Sequence, residues 1–212
     1  MRCRAAVSWS VAVLDPKLLP LAAAYLAALP EGLDSYPDCR IRTEVTQLVL
    51  DRFPRILEHP GVASGFAERV RSSLEEGEWM SEALGVAVRM MTRDSMFASD
   101  AEYDDWTFEL SMKLYERRVY RVLMYVISPS LVMMGATRRW NAFRQGTTLV
   151  AKSNGRGGDI DLAFPPRLYT RLVLGGLGQA FRAALVAARA RGVRVELDEV
   201  ERDRAHWSVT WD

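Results

Sequence analysis

Apolar residues recur at helical spacing through the first two-thirds of the chain and at alternating spacing after that. The sharpest helical stripe is Tyr103, Trp106, Leu110 and Leu114, three or four residues apart and therefore on one face. Just before it, Ser99-Asp100-Ala101-Glu102 is a capping-box sequence, whose Ser and Glu side chains satisfy N–H groups exposed at a helix start. Asp100, Glu102, Asp104 and Asp105 crowd the first turn and Arg117 and Arg118 lie near the end, a gradient that complements the helix dipole. Fainter stripes of the same period place helices over 41–53 (Val45, Leu48, Val49, Phe53), through Phe66, Val70 and Leu74, and from Trp79 to Met96 (Leu84, Ala87, Val88, Met91). Asp15-Pro16, an N-cap followed by proline, predicts a helix through Leu18, Leu19, Ala22, Tyr25, Leu26 and Leu29 that stops near Pro30 and Gly32. Ser128-Pro129 repeats that signal and predicts one helix through Leu131, Met134 and Trp140 to about Gly146. Residues 5–14 fit either a strand or the first turns of a helix.

After Gly146 the period drops to two. Thr147 to Lys152 and Asp159 to Phe164 read as strands joined by the turn-rich Ser153-Asn154-Gly155-Arg156-Gly157-Gly158. Ile160, Leu162 and Phe164 alternate with Asp159, Asp161 and Ala163, so one face is buried. A long helix is expected from about Leu168 to Arg191, ended by Gly192, and two strands follow around Val193, Val195, Leu197 and Trp207, Val209, Trp211. The class is therefore α+β: N-terminal helices, then a four-stranded antiparallel sheet in the order strand-strand-helix-strand-strand, packed with helices. No repeat or low-complexity linker divides residues 1–212, and a single domain is expected.

Length adds that the core suffices by itself: 212 residues bury roughly 70% of the unfolded surface, with no need of disulfide or metal staples. Charge removes a class of partner. With 28 basic residues against 27 acidic, the chain lacks the basic excess of a phosphate-neutralising protein, so nucleic acid is not the expected partner. Cys3, Cys39, His59 and His206 have no zinc-ligand or disulfide spacing. The opening apolar run is short, ends at Asp15-Pro16 and lacks a small-residue cleavage site. No apolar stretch reaches the length of about 18 residues that spans a bilayer. A cytoplasmic protein is expected.

Each candidate for chemistry has a plainer explanation beside it. His59, before Pro60-Gly61, could serve as a haem ligand or a base, but a loop histidine is the commoner outcome. His206 should face outward if Trp207 faces the core, and Cys39 beside Arg40 more often packs than reacts. Gly175-Gly176-Leu177-Gly178 lacks dinucleotide-binding spacing and lies in a helical pattern, so close helix-to-sheet packing explains it better. The methionines at 90, 91, 96, 112, 124, 133 and 134 either line an adaptable pocket or fill an irregular core. Trp106 and Trp140 should be mostly buried. The arginines Arg117, Arg118, Arg121, Arg138, Arg139 and Arg144 flank the apolar run from Val122 to Ile127. Converging, they would recognise a small anionic ligand or an acidic protein; otherwise they are solvated and paired with Asp94, Asp104 or Asp105. Arg121, Arg138, Arg139 and Arg144 are the candidate binding residues, the first three presenting a positive surface near the junctions of the two central helices. No catalytic residue, metal ligand or cofactor is assigned.

Tyr36-Pro37-Asp38, Glu78-Trp79, Arg93-Asp94-Ser95-Met96-Phe97, Tyr120-Arg121-Val122-Leu123-Met124, Ser128-Pro129 and Arg138-Arg139-Trp140-x-x-Phe143-x-x-Gly146 together resemble a paralogous family of uncharacterised myxobacterial proteins. That family is similar in layout to haem nitric-oxide-binding domains, vinyl-4-reductase-type ligand domains and small trafficking subunits of tethering complexes. The resemblance implies a sensor, a small-ligand pocket or a dimerising adaptor. The Tyr-x-Ser-x-Arg motif of the haem binders and the paired cysteines of the vinyl-4-reductase type are absent, so neither role carries over. The expected function is a non-enzymatic regulatory, ligand-sensing or protein-interaction domain, with a homodimer as one expected form and a pocket between helices and sheet. Its rivals are a cofactor-free enzyme using carboxylates such as Asp94 or Glu82, and a haem sensor through His59.

Overall fold

A computed structural model describes residues 13–116 and 128–212. Arg117, Arg118 and Arg121 lie outside the described residues, as does most of the ambiguous stretch 5–14, of which Leu14 forms a single bridge to Val62. Helix α1 (Pro20–Ala28) starts four residues later than expected. Asp15 instead opens a turn, its carbonyl accepting from Leu18 and Leu19. The reason is Pro20: a helix begun at Pro16 would set the Pro20 ring against the Pro16 carbonyl, whereas at the first helical position its missing N–H costs nothing.

Two three-residue strands went unseen in the sequence. Strand β1 (Arg40–Arg42) runs directly into α2 (Thr43–Arg52), and β2 (Trp79–Ser81) runs into α4 (Glu82–Met96), after α3 (Ser64–Glu76). Both helices are shorter than their apolar periods suggested because the first residues of each stretch pair with one another. Arg40 lies opposite Ser81, and Ile41 opposite Met80. Helix α5 (Asp100–Glu116) has the expected stripe, with Tyr103, Trp106 and Leu114 buried. Its box closes as Ser99 Oγ accepts from the Glu102 N–H at 3.2 Å and Glu102 Oε2 accepts from the Ala98 N–H at 3.0 Å. Phe53, Phe97 and Tyr103 surround Trp106 with ring centroids 5.2–5.6 Å away.

The single helix expected after Ser128 is two, α6 (Pro129–Met134) and α7 (Ala136–Phe143), separated at Gly135. The break leaves Val132 and Met133 buried and Met134 exposed. Strand β3 (Arg144–Gln145) then pairs with β1, completing a small sheet in the order β2-β1-β3. Gly146 turns the chain into the main sheet with φ of +74°, a region that glycine enters freely.

The main sheet is as expected: β4 (Thr148–Ser153), β5 (Gly157–Ala163), β6 (Arg194–Val200) and β7 (Arg204–Thr210), all antiparallel, ordered β4-β5-β7-β6. Leu149, Ile160, Leu162, Ala205, Trp207 and Val209 form its buried face. Helix α8 (Arg171–Ala187) covers that face; it is trimmed at both ends, by the Thr170 cap and by Arg189 at φ +67°. Gly178 permits the close approach, since a Cβ there would stand 3.1 Å from Trp207 Nε1. Phe181 meets the Trp207 ring edge-on at 5.2 Å. On its other side α8 packs along α5, Gly176 lying against Thr107. One buried apolar cluster extends from Leu14 to Trp211.

Candidate functional site

Beyond the Gly176 contact, toward the C-terminal ends of α5 and α8, the two helices border a cavity of about 140 Å³. Leu110 and Leu114 of α5, Leu177 and Phe181 of α8, and Leu149 and Ile160 of the sheet give it an apolar body. Helices α2, α6 and α7 close the remaining sides with Val49, Val132 and Trp140, among others. Three arginines also reach this wall: Arg89, Arg139 and Arg144.

The small sheet explains how charge arrives in so apolar a place. Pairing of β2 and β3 on either side of β1 brings the first residue of α4, Glu82, beside Arg144, although 62 positions separate them. Arg89 lies seven residues along α4 from Glu82, two turns on and on the same face. Glu82 Oε1 accepts from Arg89 Nη2 at 3.1 Å and from Arg144 Nε at 3.4 Å, with all three side chains buried or nearly so. Arg144 also stacks over Trp140, its guanidinium carbon 4.5 Å from the ring centroid. Trp140 is fixed in turn by donating from Nε1 to Thr147 Oγ1 at 3.0 Å.

Burial alone would lower the Arg144 pKa, but Glu82 and Tyr169 beside it more than offset that and raise it, so the group stays cationic. The Tyr169 phenol is pushed up by burial and then by Glu82, and it remains protonated. Its hydroxyl and Glu82 Oε2 are both buried without a hydrogen-bond partner among the described residues. Tyr115, whose hydroxyl donates to the Ala180 carbonyl at 3.2 Å, is pushed up to about 12 by burial. Burial lowers the Arg139 pKa, although its Nη1 donates to the Leu131 and Val132 carbonyls at 3.3 and 2.9 Å.

The candidate arginines take separate positions. Arg144 is 8% exposed and belongs to the interior, because β3 rather than a continuing helix carries it. Arg139 turns into the cavity wall, Arg138 is exposed on α7 and does not join it, and Arg121 lies outside the described residues. The ionic partner of Arg144 is Glu82 and not Asp94, Asp104 or Asp105. Asp94 instead accepts the Leu21 and Ala22 N–H groups at 3.2 and 3.0 Å, capping α1 from a distant helix. Arg89 was missed altogether. Its only sequence signal was the heptad spacing from Glu82, which many surface helices share.

The other candidates have structural positions. His59 is half-buried in its loop, with Nδ1 accepting from the Gly61 N–H at 3.1 Å. His206 faces outward on β7 against Asp161 at 2.9 Å; that hydrogen bond raises its pKa. Cys39 is buried, donates from Sγ to the Gly146 carbonyl at 3.3 Å, and is pushed up to about 11 by burial, so it packs. Among the described residues, no imidazole or thiol lines the cavity and no three His, Cys, Asp or Glu side chains are grouped to hold a metal ion. Tyr115 aims its hydroxyl at the α8 backbone. The described lining does not fit a haem. No helix among the described residues is long and apolar enough to cross a membrane.

No protein-family model matches the chain, and no curated protein is similar to it. Among solved structures it is similar to the Fe(II) unliganded H-NOX protein of K. algicida, at 8% identity and a TM-score of 0.49, over 81% of this chain and 97% of that one. A Cs H-NOX mutant carrying 4-cyano-L-phenylalanine is similar over the same shares, at 10% identity and a TM-score of 0.38. Likeness this distant says nothing of chemistry.

Proposed function

We propose that residues 1–212 act as one non-enzymatic, ligand-sensing domain whose small-molecule site is the cavity bounded by α5, α7, α8 and the sheet. The observation that carries this reading is the cavity itself, an apolar space with buried guanidiniums in its wall, between the helical half and the sheet half. An apolar void of about 150 Å³ in a protein interior accepts a benzene-sized guest, which sets the scale of the ligand. The two carboxylates that an enzyme could have used are otherwise engaged, Asp94 as a cap and Glu82 as a counter-ion.

Helix α6 offers a route from binding to regulation. It turns Val132 and Met133 inward and Leu131 and Met134 outward, so a guest that moves α6 alters an exposed apolar surface. Arg138, exposed on the next helix, suits an acidic protein partner, and the exposed Leu131 and Met134 suit a homodimer contact. No cofactor takes part in this reading. A free, buried Cys39 is compatible with a reducing cytoplasm, and the short motifs around Arg93-Asp94-Ser95-Met96-Phe97 support kinship with the uncharacterised myxobacterial paralogues.

The test is thermal denaturation with a panel of benzene-sized probes: toluene, benzyl alcohol, benzoate and hexanoate. At least one should raise Tm in a saturable way, and Ala184→Phe, which fills the cavity from α8, should abolish that rise. If no probe shifts Tm, or if the filled variant responds like wild type, the cavity is not a ligand site.

A further inference from the structure

The wall of the cavity holds more cationic than anionic groups, and this imbalance selects among guests of the right size. Arg89 and Arg144 both lean on the same oxygen, Glu82 Oε1, so two guanidiniums face one carboxyl group. Each guanidinium has five N–H donors. Glu82 Oε1 accepts from both arginines and the Gly85 carbonyl lies 3.4 Å from Arg89 Nε. Two positive charges therefore share one carboxylate. Arg144 cannot reach bulk water to make up the difference, because its side chain is 9% exposed and pinned between Trp140 and Glu82. A buried cation without full compensation is costly, and the cost is relieved by an anion brought into the same space.

Shape fixes the rest of the ligand. Away from the arginines the wall is mostly Leu, Ile, Val, Phe, Ala and Met, and the Thr107, Ser111 and Tyr115 hydroxyls on it already donate to backbone carbonyls. A phosphate or dicarboxylate would be poorly matched there, since those hydroxyls are engaged and Arg139, the remaining cation of the wall, already donates to the Leu131 and Val132 carbonyls. A planar carboxylate matches the fork of a guanidinium, and a hydrocarbon body matches the remainder.

On the reading that this cavity is a ligand site, we propose that its ligand is a small apolar monocarboxylate, its carboxylate held by Arg144 and Arg89 and its hydrocarbon body of about six to eight carbons lying between α5 and α8. Charge then supplies discrimination and the apolar wall supplies fit. The acid is distinguished from its own alcohol or hydrocarbon by the buried cations, which only the anion relieves.

Titration calorimetry with benzoate, hexanoate, benzyl alcohol and toluene separates the claims. Benzoate or hexanoate should bind about tenfold or more tightly than benzyl alcohol or toluene, the factor expected of a charge-assisted hydrogen bond. Arg144→Lys should weaken the acid about tenfold while leaving the alcohol unchanged, because lysine keeps the charge but loses the fork. Should that variant lose its native circular dichroism, Arg89→Lys serves in its place, since it leaves the Glu82–Arg144 pair intact. If alcohol or hydrocarbon binds as tightly as the acid, the cavity is a ligand site but the carboxylate assignment is wrong. If acid binding survives both lysine variants unchanged, the arginines do not hold it and the assignment again fails. If no probe binds, the ligand-site reading falls with it.

Discussion

Removing Glu82 should damage this protein more than removing any surface carboxylate. Its side chain is 1% exposed, and those of Arg89 and Arg144 are 12% and 9% exposed. Breaking a buried ion pair by deleting one partner costs about 3–5 kcal/mol, because the remaining charge stays out of water without its counter-ion. Glu82→Ala strands two such charges, so a loss of about 4–5 kcal/mol is expected. That is a large share of the roughly 5–15 kcal/mol that holds a domain together. Glu78 makes the control. It pairs with Arg42 but is 76% exposed, so Glu78→Ala should cost no more than about 1 kcal/mol. Glu82→Gln should fall between them, since its amide oxygen still accepts from both arginines. Urea denaturation followed by circular dichroism measures all three, with the slope checked for constancy. A Glu82→Ala loss below about 1 kcal/mol at unchanged slope would mean that the arginines find solvent or another counter-ion and that the cavity wall holds no buried charge in need of one.

Trp140→Ala and Trp106→Ala should each cost about 3–5 kcal/mol, since both rings are buried against aromatic neighbours; losses under about 1 kcal/mol would mean the stripes do not face the core. Gly146→Ala should cost more than about 2 kcal/mol in the same assay, because its φ is +74° and a Cβ would stand 2.5 Å from the Asp38 carbonyl oxygen; a neutral effect would refute that turn. Asp104 is raised to about 6 from 3.8, mainly by burial and then by Asp100 and Asp105. Between those values the folded state binds more protons than the unfolded state, so this group makes stability fall as pH rises from about 4 to 6. Asp104→Asn should flatten that decline and stabilise the protein at pH 7, by about 1 kcal/mol after allowance for its partial exposure; an unchanged pH profile would show that the carboxyl is solvated.

What the sequence determined by itself was local. The Ser99–Glu102 box, the Tyr103–Leu114 stripe and the alternation in β5 and β7 each depend on residues within a few positions of one another. Helix capping and the two side-chain periods act at that range, so helices and main strands were legible, as were the buried tryptophans and the close approach at Gly178. Even the local signals had limits. Asp15-Pro16 looked like a helix start until Pro20 is counted, and one helix after Ser128 ignored what Gly135 permits.

Only the tertiary structure decided the site. Strands of two or three residues carry too little alternation to show a period, so β1, β2 and β3 were absorbed into the neighbouring helical patterns. Yet that small sheet sets Glu82 against Arg144 and makes that arginine part of the cavity wall. Sequence counts charges but does not say which meet. An arginine that pairs with a carboxylate 62 residues away is spelled like one that pairs with water, and folding alone separates the two.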